Sequence, residues 1–425
     1  MSVTSWLNST GVRQSAILTG GNVVSTFISA LALILLSRIL GPAAYGAFSV
    51  AFALSMLTTK IFDFGLNLSL QKYLSQAAGH SRLKVHQLVT YGFRIKLLGS
   101  GAILLAAFGL TVPLSHALHL SDQLAIIFLG IALGLIIYWF DFVAYLFQSL
   151  SAFSLTAVLA MVQAATKLLV ILSLILAGVT SAAITYLAYG LAPLTGLGLG
   201  LIKLKDRWHW QPGLSSPARS ALWRLTRYTA MLTIAQALTD YLDIILVQNL
   251  TDQYQTGLYA AAARIGLLLA VVAFSINSVM NTRAAKYTDP QVLRRYQKKA
   301  LSFAGFSLFS LVILLPLSPW LLYLTAGPAY LLADPALKYL LTAGVVMIAT
   351  APLAAVFYGL DFPLYFALVG VTQVVVLVGF SWYLIPVWGI VGAGQARLLM
   401  RVVVLGVTLL CLAWVRRPAF RYVNT

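Results

Sequence analysis

Charged side chains interrupt several of the long apolar runs in this 425-residue chain. The basic ones that lie deep in these runs are Lys60, Lys96, Lys167, Arg264, Arg397 and Arg401. The acidic ones are Asp63, Asp141, Asp240 and Asp243. A charge in an apolar segment is costly, so it usually faces a bundle interior or a water-filled cavity and binds an ion, a ligand or another charge. These ten residues are therefore the candidates for chemistry.

The balance of these charges is positive. An eleventh charged residue, Arg94, and Asp63 both lie within about two turns of the predicted cytoplasmic surface, where each could extend to the surface or form an ion pair. With Arg94 included, seven basic side chains stand against four acidic ones. That excess favours a cavity for an anion, such as a phosphate or pyrophosphate group, which the six deep basic residues would line.

The four aspartates leave alternatives open. Lys60 and Asp63 are three residues apart on one helical face and could form a local ion pair. Asp240 and Asp243 share the same spacing. We expect the four aspartates to couple to an ion or to form ion pairs.

Two readings of Asp240 and Asp243 follow from their neighbours. The carboxylates could build a proton or sodium site with polar groups of the eleventh and twelfth apolar runs, such as Thr372, Gln373 and Gln395. They could also neutralise basic side chains, namely Arg264, Arg397 and Arg401.

The elements that must position these residues are membrane helices. The chain is 60% hydrophobic and 9% charged, with a mean hydropathy of +0.91, whereas a soluble protein carries about 25% charged residues. The apolar residues form runs of about 20 residues, each long enough to cross a bilayer. The sequence therefore predicts an all-α polytopic membrane protein.

Apolar windows predict about twelve spans. In chain order they cover 17–39, 45–68, 88–112, 122–147, 153–177, 182–203, 227–250, 256–281, 298–319, 336–358, 364–385 and 390–414.

A polar stretch, 204–226, divides these spans into six and six. It contains Pro212 and Pro217, which are typical of a linker. We therefore predict a lobe at 1–203, a cytoplasmic linker at 204–226 and a second lobe at 227–425. Two six-helix halves that both start inside would be parallel repeats, an arrangement typical of transporters with a binding site between the lobes.

The basic residues of the loops set the orientation. The net charge is +18, and most of the loop lysines and arginines fall on one side, so both termini are predicted to be cytoplasmic. This reading leaves no role for nucleic acid. Residues 69–87 are too polar to span, and they form either a short amphipathic helix against anionic lipid or a solvated loop.

Signatures of an enzyme are missing from the sequence. It has no P-loop, no HExxH motif and no GxSxG elbow. Its single cysteine, Cys411, excludes an intrachain disulfide and a thiolate metal cluster. We expect no catalytic residue, no metal and no cofactor.

Three stretches resemble bacterial polysaccharide-type flippases of the multidrug/oligosaccharidyl-lipid/polysaccharide (MOP) superfamily. The first, at 36–76, resembles their first helical hairpin through Leu40, Gly41, Pro42, Tyr45 and Gly46, then Asp63, Gly65 and Leu66. The stretches 323–340 and 384–399 are similar to turns before the tenth and twelfth spans. At Arg397 this chain departs from the family, which usually has a small or hydroxyl residue there.

The resemblance implies a MATE/MOP-like fold in the inner membrane of a bacterium. It further implies translocation of undecaprenyl-pyrophosphate-linked oligosaccharides by alternating access, for O-antigen, capsule or exopolysaccharide synthesis. A cationic cavity, coupling to a proton or sodium gradient, contact with membrane lipids, and polysaccharide polymerase and assembly proteins as partners are expected with it.

Two other functions stay open at this point. A multidrug or small-molecule cation antiporter of the same superfamily would need an acidic cavity, which the charge balance disfavours. A non-transporting scaffold of a glycan-assembly complex would need no cavity at all.

Overall fold

The computed structural model describes residues 10–205, 209–211, 213–284, 302–359 and 363–415. Within these ranges the regular elements are helices, and none is a strand. The α-helices are α1 Thr10–Asp63, α2 Leu66–Ala78, α3 Arg82–Ala117, α4 Leu124–Ser149, α5 Phe153–Leu176, α6 Ala182–Leu191, α7 Pro193–Lys205, α8 Ser216–Leu250, α9 Gln253–Ala284, α10 Leu311–Thr325, α11 Asp334–Gly359, α12 Pro363–Trp388 and α13 Ile390–Val415. Short 3₁₀ turns at Ser121–Gln123 and Pro328–Ala333 precede α4 and α11.

The predicted membrane spans coincide with these helices. Within the described ranges, ten helical segments are long and apolar enough to cross a bilayer. One of them, Gly20–Asp63, covers most of the first two predicted spans, 17–39 and 45–68, and another, Ser302–Thr325, includes α10. The eighth predicted span falls on α9. The expected all-α, multi-pass architecture is confirmed.

The turn predicted between the first two spans is a kink inside α1. Gly41 has φ 67° and ψ 172°, and Pro42 follows it. A positive φ is costly for residues with a Cβ atom, and proline cannot donate the helical hydrogen bond. The two residues therefore break the helix axis without a separate loop.

The polar stretch after the second span contains a helix. Phe64 and Gly65 have positive φ values of 49° and 72°, and they turn the chain from α1 into α2. Leu70 and Leu74 of α2 are buried in an apolar core with residues of α3 and α4, while Lys72 is exposed. The predicted helix, and not a solvated loop, therefore forms in the first part of this stretch, whereas its contact with anionic lipid stays a prediction.

Contacts divide the chain into two compact units. The first comprises Met1–Leu40 and Ala47–Ala237, and the second comprises Gly41–Gly46 and Leu238–Thr425. The change from one unit to the other falls within α8, whereas the linker predicted from the sequence lies at 204–226. The two six-helix lobes remain a prediction.

Two glycines of the second unit allow a very close backbone approach. A Cβ atom on Gly46 would overlap the carbonyl oxygen of Gln253, and one on Gly257 would overlap that of Pro42. The Gln253 side chain also donates to the carbonyl of Ala43 at 2.8 Å. The Gly41–Gly46 segment is therefore tightly packed against the start of α9.

We predict that Gly46→Ala or Gly257→Ala destabilises the protein, because each added methyl group forces two backbone segments apart. Overpacking of this kind costs about 1–3 kcal/mol. The measurement is the apparent melting temperature of the detergent-solubilised chain. Gly101→Ala is the control, since Gly101 lies in α3 with open space around its Cβ position. An unchanged melting temperature for both test variants would contradict the close approach.

Candidate functional site

The first unit holds a dry ion pair between α1 and α3. Lys96 Nζ lies 2.5 Å from Asp63 Oδ1, and the side chains are 0% and 6% exposed. The backbone N–H of Asn67 donates to Asp63 Oδ2 at 3.4 Å. The Lys96 ammonium also lies 3.6 Å from the ring centroid of Tyr138, a cation–π contact that replaces water.

A second pair in this unit is more accessible. Lys60 Nζ lies 2.7 Å from Asp141 Oδ2, and their side chains are 33% and 22% exposed. Lys60 and Asp63 do not bind each other; each has its partner on another helix. The local pair suggested by their spacing is thus replaced by two pairs that join α1 to α4 and to α3.

Lys167 of α5 is the remaining deep cation of the first unit. It is buried, and its ammonium lies 5.0 Å from the ring centroid of Tyr189. The deep charges of this unit are therefore three lysines and two aspartates, which leaves a net charge of +1.

The second unit has its own buried carboxylate, Asp243 of α8, which is fully buried. Asp243 forms an ion pair with Arg397 of α13. The Tyr259 hydroxyl donates to Asp243 Oδ2 at 2.6 Å, and the backbone N–H of Ile244 donates to Oδ1 at 2.9 Å. Three donors, from Arg397, Tyr259 and the backbone of Ile244, thus bind this carboxylate.

The other acidic residue of α8, Asp240, lines a small cavity of about 40 Å³. Arg397 and Arg401 line the same cavity, together with small and apolar residues of α9 and α11. Arg264 lies on α9 and is part of the same unit. Three arginines and two aspartates again leave a net charge of +1.

The sequence left two alternatives for Asp240 and Asp243, an ion site or ion pairs with basic side chains. The geometry of Asp243 agrees with the ion pair. Gln395, expected as a further ligand of an ion, donates to the Tyr339 hydroxyl at 3.4 Å instead. No group of three or more histidine, cysteine or acidic side chains that could hold a metal occurs in the described ranges. The roles of the ten charged residues remain predictions.

Two tyrosines contribute to these clusters and were missed in the sequence. Tyr138 is packed beneath Lys96 and Tyr259 binds Asp243, and both are buried. Tyrosine is common in apolar spans, so the residue type alone does not indicate that a tyrosine belongs to a charged cluster. Tyr259 lies two residues after Gly257 in the first turns of α9, and only the fold places it beside Asp243.

Residues 12–281 match the model of a protein family described as polysaccharide biosynthesis protein. Among curated proteins, none matches the sequence significantly.

Solved membrane transporters share the fold. A MATE-family multidrug-resistance transporter of the MOP superfamily, inward-facing, has a TM-score of 0.76 at 12% identity and covers 92% of this chain and 96% of its own. The lipid II flippase MurJ, inward closed, has a TM-score of 0.73 at 15% identity, with 93% and 87% covered. The MATE multidrug transporter DinF-BH has a TM-score of 0.67 at 16% identity, with 95% of each chain covered.

These comparisons confirm the expected MATE/MOP-like fold. The matched structures are those of transporters and a flippase, not of enzymes, in agreement with the expectation from the sequence.

We predict that Lys96→Met lowers the stability by about 3–5 kcal/mol, because it leaves the Asp63 carboxylate buried without a counter-charge. Asp63→Leu added to Lys96→Met should restore much of the loss. The apparent melting temperatures of the single and double variants test this coupling. Lys338→Met is the control, since the Lys338–Asp334 pair is more exposed and such pairs contribute about 0–1 kcal/mol. Equal losses in the single and double variants would refute the coupling.

We also predict that sodium does not stabilise the protein, because Arg397 already occupies the position of a cation at Asp243. Melting temperatures in sodium chloride and in choline chloride of equal ionic strength should agree. Arg397→Gln should introduce a sodium-dependent rise, since it exposes the carboxylate to a new counter-ion. Sodium-dependent stabilisation of the unmodified chain would contradict the assignment of Arg397 as a tethered cation.

Proposed function

The chain belongs to the family of polysaccharide biosynthesis proteins, and on that premise we propose that it is a lipid-linked oligosaccharide flippase. It moves undecaprenyl-pyrophosphate-linked repeat units from the cytoplasmic to the outer leaflet of a bacterial inner membrane, for surface polysaccharide synthesis. The family match over residues 12–281 carries this proposal. The fold shared with a lipid II flippase and MATE transporters is consistent with it.

The deep charges support the substrate class. A pyrophosphate diester is a dianion at neutral pH, and its transfer into a membrane requires compensating positive charge. Each unit carries three deep basic and two deep acidic side chains, so each has a surplus of +1. Lys60, Lys96, Lys167, Arg264, Arg397 and Arg401 together thus provide a field that favours an anion over a cation.

Lys60 is the residue we assign to direct contact with the substrate. Its side chain is 33% exposed, whereas Lys96 is fully enclosed. Lys60 is bound to Asp141, and a phosphate oxygen can replace that carboxylate in the same charge-assisted hydrogen bond. The released Asp141 would then be free to take up a proton, which would couple the exchange to a proton gradient.

Movement of the substrate would proceed by alternating access of two lobes, 1–203 and 227–425. In this proposal the six-helix halves of the sequence are the moving parts. Glycan-assembly proteins would load the substrate inside, and a polysaccharide polymerase would consume it outside.

A second candidate is a cation antiporter of the multidrug type, which the likeness to MATE transporters favours. Such a pump needs carboxylates available to a cation. Asp63, Asp141 and Asp243 are each bound to a lysine or an arginine, which disfavours this function.

Reconstitution distinguishes the two. The purified chain in liposomes should move a fluorescent undecaprenyl-pyrophosphate-linked glycan across the bilayer, and loss of the gene should leave lipid-linked units on the cytoplasmic leaflet. Liposomes that translocate a cationic dye but not the glycan would support the antiporter. Translocation of neither by a folded protein would support a scaffold.

We predict that Lys60→Gln reduces the translocation rate by about tenfold or more, because one charge-assisted contact to phosphate is lost. The assay is the same glycan translocation in liposomes. Lys338→Gln is a matched control, since Lys338 also lies 2.7 Å from an aspartate oxygen but near the predicted outer end of its span. A wild-type rate for Lys60→Gln would remove Lys60 from the substrate path.

A further inference from the structure

The cavity between α8, α9, α11 and α13 of the second unit contains a buried cation, Arg401, that has no close partner among the described residues. Arg401 is 9% exposed and lines this cavity. Within the described ranges it makes neither a hydrogen bond nor an ion pair shorter than 4.0 Å. An arginine cannot lose its proton in a protein, so this charge persists.

The neighbouring charges do not neutralise Arg401 completely. Arg397 also faces the cavity, but its guanidinium is bound to Asp243. Asp240 faces the cavity as well, and it attracts both arginines at longer range. With Arg264 on α9, the deep charges of this unit sum to +1. A surplus charge at membrane depth requires a counter-ion.

The size of the cavity limits that counter-ion. Its volume of about 40 Å³ exceeds the 10–15 Å³ that holds one water molecule. It is far too small for a pyrophosphate-linked glycan. The rest of its lining, including Ala263, Gly344 and Met347, is apolar, which favours a weakly hydrated ion over a strongly hydrated one.

We propose that this cavity is a binding site for a small monovalent anion such as chloride, held by Arg401 and flanked by Arg397. The anion neutralises the surplus charge of the second unit and stabilises its helix packing. This site is separate from Lys60 and does not depend on which substrate the protein carries.

The test is anion-dependent stability of the full chain in detergent at constant ionic strength. Replacing sodium gluconate with sodium chloride should raise the apparent melting temperature in a saturable way, since a ligand of the folded state stabilises it by mass action. Bromide should act like chloride. Equal melting temperatures in gluconate and chloride would overturn the proposal, and stabilisation by phosphate alone would overturn the assignment to a monovalent ion.

Variants locate the site. Arg401→Gln should weaken the apparent chloride affinity by about tenfold or more, whereas Arg94→Gln, at an exposed arginine of α3, should leave it unchanged. Asp240→Asn should strengthen it, because a like charge is removed from the same cavity. An unchanged chloride response in Arg401→Gln would place the anion elsewhere and refute the site.

If Arg401→Gln does not fold, the site is tested by the chloride affinity of Asp240→Asn and by the position of bound bromide. Bromide-soaked crystals of the full chain should show anomalous density beside Arg401. Absence of that density, or an unaltered chloride affinity in Asp240→Asn, would also refute the site. Each of these measurements reports anion binding. A failure to translocate the glycan would therefore not contradict the anion site.

Discussion

A charge inside the hydrocarbon is stable only when a counter-charge lies beside it, and the helix packing of both units depends on that constraint. In the first unit, Asp63 at the end of α1 can stay ionised because Lys96 of α3 reaches it. The neighbouring Lys60–Asp141 pair joins α1 to α4. Three helices are thus joined through four side chains. A shift of α1 against α3 would leave the buried Asp63 or Lys96 without its partner, at a cost of several kcal/mol.

The two units meet this constraint in similar ways. In each, one aspartate is buried, a basic side chain from another helix binds it, and a backbone N–H donates to its second oxygen. A tyrosine lies against each cluster, Tyr138 in the first unit and Tyr259 in the second. The contacts differ, because Tyr138 offers its ring to a lysine and Tyr259 offers its hydroxyl to the carboxylate. Each unit also retains one positive charge in surplus.

That surplus links the architecture to the proposed function. A perfectly neutral membrane interior would repel a pyrophosphate through the cost of its desolvation alone, whereas an interior with a positive surplus offsets part of that cost. The same surplus must be tolerated when no substrate is present. In the second unit, the proposed anion beside Arg401 is one way of doing so, because that counter-charge can exchange with the solvent.

The sequence by itself determined the class, the helices and the sign of the charge. Apolar runs of about 20 residues leave little choice but helices, because every backbone group in lipid must bond within its own segment. Gly41 and Pro42 mark the kink in α1 for equally local reasons. Only the tertiary structure decided which charge binds which. Lys60 and Asp63 share a helical face, yet their partners come from α4 and α3. The sequence also allowed Asp243 to bind an ion, whereas in the structure Arg397 lies beside it. Spacing along a helix reports only local neighbours, whereas partners from distant helices depend on how the helices pack.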